Sequence, residues 1–363
     1  MEERRLYGVK SRKGSIDMKI LRMKTNRIVN PLGFDLKTPV VSWTVEETAA
    51  KKQLWARVEV AADEDFSTIL FDTGESRTAS SLGVPVDIAL SPRTRYFWRV
   101  TVCGDNGERA VSDTAWFETA KLGEPFAGER ISPCLPADTA PYMRRAFQVE
   151  GEVLSARAYF TGLGIYELYV NGEKAGDEYF APGCTAYDRW IQYQTYDVTD
   201  LVKSGENVVG AVIGNGWAKG RFGFDGKAGC YETNDPGSPH NIFTDEYLLL
   251  GELHITTDRG ETVVVTDERW QSAPAPLTFG SIYDGERCDA RLEIENWASP
   301  ACTFDGWQPV KINAETRLGS LTARLSLPVK AKHILTPKVV QTPKNELVLD
   351  LGQNITGWLT FTA

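Results

Sequence analysis

The chain has 363 residues, 42% hydrophobic and 25% charged, with 40 basic against 49 acidic side chains and a net charge of −9. That is globular composition, long enough for two or three buried cores, and it excludes an intrinsically disordered chain. The acidic balance argues against nucleic acid as a partner, and no run approaches the roughly 18 apolar residues of a membrane helix, so a soluble protein is expected.

Residues 1–24 read as a basic, solvated leader, with Arg4, Arg5, Lys10, Arg12, Lys13, Lys19, Arg22 and Lys24. They lack the continuous apolar core of a secretory signal, which predicts a cytoplasmic protein without excluding export. Beyond them the apolar period is two almost everywhere, with turn residues every eight to twelve positions, the pattern of an all-β chain. Over 25–121, Tyr96, Trp98, Val100 and Val102 fall on one strand face and Phe97, Arg99, Thr101 and Cys103 on the other. With Val40–Trp43, Trp55–Val60 and Trp116–Glu118, this stretch predicts a fibronectin type III-like sandwich.

A linker rich in Gly and Pro opens the second region, residues 122–327, expected to form a larger jelly-roll sandwich. Within it Gly164–Val170 runs into Asn171-Gly172, a type I′ hairpin signal, because both residues tolerate positive φ. Val208–Ile213 is apolar on both faces and predicts a central strand covered on both sides. Asp258-Arg259-Gly260 predicts a further hairpin. From 328 to 363 the alternation restarts, ending in Leu349–Phe361, which reads as the start of a third β-sandwich. So short a piece cannot bury a core alone, so the natural chain is expected to continue.

The six cysteines show no C-x-x-C spacing, so free thiols in a reducing compartment are expected, and the three histidines are not spaced as metal ligands. Three blocks stand out from generic β sequence: Gly162–Gly172 continuing through Ala181–Arg189 to Tyr193–Thr199; Gly214–Gly220; and Ile282–Arg291. In the second, glycines let backbone approach a ligand and Trp217 offers a flat apolar face for a sugar ring. The competing structural reading makes Trp217 a plug at the sandwich end and Asn215 a turn stabiliser. In the third, Asp284 and Glu286 would share a strand face about 7 Å apart. That is a hydrolytic spacing, but a turn centred on Gly285 whose acids pair with Arg287 and Arg291 is the preferred reading. Tyr193 and Tyr196 read as core tyrosines, and Asp197 as a turn aspartate.

These blocks, in this order, together with Pro31–Asp35, Pro39–Trp43, Asp350–Asn354 and Gly357-Trp358, resemble the N-terminal region of bacterial α-L-rhamnosidases over nearly the whole chain. Cys184 departs from the pattern, standing where the family usually carries Trp. The resemblance implies a non-catalytic part of an inverting glycosidase whose paired carboxylates lie on a downstream α/α barrel. It implies L-rhamnose-containing glycosides and that downstream catalytic domain as partners. Because related domains include calcium-dependent rhamnose-binding modules, Asn215, Trp217, Asp188 and Tyr187 are the expected sugar-binding residues. Asp188 and Asn241 are the expected calcium ligands, within a wider oxygen supply from Asn215, Asn234, Asp235 and Asp245. No residue is assigned a catalytic role. The alternative is a free-standing carbohydrate-binding or scaffold protein.

Overall fold

The computed structural model describes residues 17–220, 244–283, 285–316 and 318–360, and its contacts divide the chain after Pro125 into two compact units. In the first unit the alternating strand Arg95–Gly104 lies between Gln53–Ala61 and Ala115–Thr119 in a six-stranded sheet. A three-stranded sheet of Lys19–Thr25, Val40–Glu46 and Val84–Pro85 forms the other layer. Tyr96, Trp98, Val100 and Val102 point into one core with Val41, Trp43, Val58 and Phe117, as the period predicts. Arg95 and Arg99 emerge on the opposite face, where they pair with Glu118 and Glu59. The last residues of the expected leader belong to the sandwich. Residues 19–25 are a sandwich strand whose Ile20 is buried, and the basic neighbours that suggested a solvated tail are only its outward-facing positions.

In the second unit one layer contains Ile165–Val170, Gly205–Gly214, Pro141–Val149 and Gln271–Pro274, and the other contains Leu248–Thr257, Val153–Leu163 and Gln194–Asp197. Gln308–Ile312 pairs with Gln271–Pro274 and also with Ile131–Pro133, carrying the hydrogen-bond ladder from one layer to the next. Phe160, Leu253 and Ile255 from one layer meet Tyr166, Leu168, Val209 and Ala211 from the other in a common core. Asn207 to Ala211 are buried on both strand faces, which explains the two-sided apolar run. Asn171 and Gly172 take φ of 53° and 89° between the paired Val170 and Glu173, the left-handed turn that this dipeptide favours. Together the two units form an all-β, sandwich-type chain.

Past residue 328, Val329-Lys330 pairs with Glu178-Tyr179. Lys338–Gln341 and Leu347–Asp350 then form an antiparallel hairpin that is exposed along both strands.

Candidate functional site

The candidate site is built from two chain segments of the second unit, the Ala181–Arg189 loop and the Gly214–Gly220 turn. The loop is held by a strap, residues 318–330. Ser320–Thr322 runs parallel to Trp190–Gln192, and on either side the Gly319 N–H donates to Tyr187 O at 2.8 Å and the Tyr193 N–H to Thr322 O at 2.9 Å. The Leu325 N–H reaches Gln192 Oε1 at 2.8 Å, and Arg324 makes a buried ion pair with Glu178. Gly319 is required by close approach: a Cβ there would sit 2.1 Å from Arg189 C and 2.2 Å from Trp190 N. These are backbone atoms, which cannot swing aside.

On the loop, Tyr187 is buried in a small apolar cluster with Leu163, Ile191, Ala218, Leu248 and Leu250, and its hydroxyl donates to Gly183 O at 2.6 Å. Burial raises the Tyr187 hydroxyl's pKa, with Cys184 adding to the effect. Asp188 is only half-buried, its carboxylate 3.8 Å from Arg189 Nε. The turn packs onto the same cluster: residues Gly216–Lys219 make one helical turn rather than an open loop, and half-buried Trp217 lies against the cluster that contains Tyr187. The structure thus brings Tyr187 and Trp217 together. The Trp217 ring also meets Phe180 edge-on, centroids 6.2 Å apart.

Asn215 is buried and accepts a hydrogen bond from the Tyr247 hydroxyl, while its backbone carbonyl accepts from Lys219 N–H at 3.2 Å. Two residues missed in the sequence join it. Tyr247 is buried, which raises its hydroxyl pKa, and Asp138 raises it further. Lys219 is only 5% exposed, with its ammonium 5.0 Å from the Tyr247 ring centroid. Desolvation lowers the lysine's pKa, opposed by the charges of Asp245, Asp138 and Glu246. The ammonium is thus largely withdrawn from water, over the ring whose hydroxyl donates to Asn215. Nothing in the alternation of the sequence marks this lysine as buried.

Of the oxygen donors expected for calcium, Asn234, Asp235 and Asn241 lie outside the described residues. Among the described residues no group of three His, Cys, Asp or Glu side chains is placed to share a metal. These residues do not by themselves make up the six to eight oxygens calcium takes. In the third block, Asp284 lies outside the described residues, Asp289 pairs with Arg291 at 2.6 Å and caps a short 3-10 turn, and Arg287 lies over the Phe279 ring. Tyr193 and Tyr196 are core residues, and exposed Asp197 pairs with Arg157 at 2.7 Å. No helix among the described residues is long and apolar enough to cross a membrane.

The architecture and the aromatic end of the second unit define a two-unit β-sandwich module. Residues 151–333 match the family model described as the alpha-L-rhamnosidase N-terminal domain, and residues 20–123 match a Rha78A-like, N-terminal immunoglobulin domain. The chain belongs to the alpha-L-rhamnosidase N-terminal domain family. It is 30% identical to an α-L-rhamnosidase of an Alteromonas species over 351 residues, covering 91% of this chain and 37% of that protein. A crystal structure of α-L-rhamnosidase from Aspergillus terreus superposes with a TM-score of 0.79 at 29% identity, over 94% of this chain and 39% of that one. The fold is also that of Streptomyces avermitilis α-L-rhamnosidase, solved in complex with L-rhamnose, with a TM-score of 0.82 at 21% identity over 93% of this chain and 49% of that one. The chain therefore spans little more than a third of the length of the curated relatives it matches.

Proposed function

We propose that this polypeptide is the non-catalytic part of an α-L-rhamnosidase, supporting a catalytic α/α barrel carried elsewhere on the natural chain and holding rhamnoside at the Trp217 end of the second unit. The observation that carries this reading is the family match over 151–333, which spans both the Tyr187–Asp188 loop and the Asn215–Lys219 turn. Trp217 offers an apolar face to the C–H side of the sugar, and Asn215 and Lys219 supply polar groups for its hydroxyls. Asp188, on the adjoining loop, is the carboxylate available to a bridging calcium ion, with Asn241 as the proposed second ligand. A cytoplasmic location is part of the proposal, supported by the five free thiols among the described residues, Cys103, Cys134, Cys184, Cys288 and Cys302.

A small sugar buries little apolar area and exchanges water hydrogen bonds for protein ones, so a dissociation constant on the order of micromolar to millimolar is expected. The test is calorimetric titration of the whole polypeptide with methyl α-L-rhamnoside, in calcium and then in chelator. Saturable heat weakened by Trp217→Ala supports the reading. Loss of that heat in chelator and in Asp188→Ala assigns the ion. No heat in either condition at millimolar sugar leaves Trp217 as a packing residue and removes the binding role.

A further inference from the structure

Phe180 joins a left-handed backbone to an exposed aromatic side chain that meets a second aromatic ring. Its φ is +63°, in the left-handed region, where a Cβ-bearing aromatic side chain is strained and glycine or asparagine is at ease. The residue is nevertheless 44% exposed, so core burial does not offset the strain. The backbone on both sides fixes this conformation. Glu178-Tyr179 is paired to the strap, and the carbonyl of Ala181 accepts the Tyr166 N–H at 2.9 Å. The consequence is that the Phe180 ring meets Trp217 at an interplanar angle of 60°, two apolar faces forming a corner. Both rings keep surface toward solvent, and buried Asn215 and Lys219 lie on the same turn as Trp217.

We infer that Phe180 is a specificity-determining residue, forming with Trp217 a corner that seats the methyl group of a 6-deoxyhexose. The inference rests on the proposed sugar site at Trp217 and adds what that site selects. A pyranose with its C–H face on one ring directs its C5 substituent toward the second. A methyl group there is desolvated favourably against phenyl, whereas a hydroxymethyl group would leave its hydroxyl facing an apolar ring without a partner. Strain held at an exposed position is accounted for if the position is used in recognition.

The experiment compares L-rhamnose with L-mannose, which differs only by a hydroxyl on C6, by calorimetry on the whole polypeptide and on Phe180→Gly and Trp217→Ala. Glycine suits the left-handed conformation, so Phe180→Gly removes the ring while keeping or raising the unfolding temperature. The expected result is a preference for L-rhamnose in the unaltered chain, with Phe180→Gly binding it about threefold to tenfold more weakly and losing most of the preference. Unchanged affinity and preference in Phe180→Gly, with binding still lost in Trp217→Ala, overturns the role of Phe180 alone. No binding by the unaltered chain, or binding unaffected by either substitution, overturns the site and the inference together.

Discussion

Gly319→Ala should destabilise the second unit sharply, although it adds a single methyl group. The added Cβ would lie within 2.5 Å of three backbone atoms of Arg189 and Trp190, so the strap and the 190–192 strand must separate. Two hydrogen bonds flank the contact, Gly319 N–H to Tyr187 O at 2.8 Å and Ser320 N–H to Arg189 O at 3.0 Å, and Tyr193 N–H to Thr322 O at 2.9 Å lies one turn of the ladder further on. At about 1 kcal/mol net for each bond, loss of two or three costs about 2–3 kcal/mol. For a unit of this size that lowers the unfolding temperature by about 4–12 °C. Thermal unfolding followed by tryptophan fluorescence should show the shift in one transition only, because Gly319 belongs to the second unit. Because the strap bonds directly to the backbone of Tyr187 and Arg189, rhamnoside affinity should fall with it. A change under about 1 °C would refute the packing argument, since no backbone rearrangement that small accommodates the overlap.

Three other outcomes follow from the same structure. Arg324→Leu should cost about 3–5 kcal/mol in chemical denaturation by leaving Glu178 buried without its cation, whereas the double change with Glu178→Leu should recover most of the loss; equal effects would mean the ion pair is not buried in solution. Asp72 has its pKa lowered below the usual 3.8, first by its hydrogen bond from Arg57. A depressed folded-state pKa gives stability that is complete above about pH 4 and is lost as pH falls through the lower folded value. Asp72→Asn should therefore flatten the acid limb of the first unit's stability profile, and an unchanged limb would count against the Arg57–Asp72 pair. Finally, the purified polypeptide should not release aglycone from aryl rhamnosides; turnover that disappears in Asp284→Asn or Glu286→Gln would place hydrolysis on this chain.

The strands and their inward faces were legible because a half-buried sheet imposes a period of two that local sequence records directly. Tyr96, Trp98, Val100 and Val102 show this, and the two-sided burial of 207–211 follows from an unbroken apolar run. Asn171-Gly172 was legible because its turn depends on those two residues alone. The site was only partly so. Trp217 stood out by residue type and Tyr187 through the family resemblance, and the structure seats them on one apolar cluster. Lys219 and Tyr247 did not, since their burial is set by elements far away in the chain. The strap was hidden for a similar reason: a parallel pairing between 190–192 and 320–322 leaves no local pattern, and Gly319 reads as an ordinary turn glycine until Arg189 is placed against it. Phe180 gave no sign of its left-handed backbone, because phenylalanine is the wrong residue for that conformation.

The most direct measurement of the central claim is a crystal structure of the whole polypeptide grown with methyl α-L-rhamnoside and calcium. The sugar should lie in the corner between Trp217 and Phe180, its C–H face on the indole and its hydroxyls within hydrogen-bond reach of Asn215 or Lys219. Sugar bound elsewhere on the second unit, with Trp217 untouched, would contradict it.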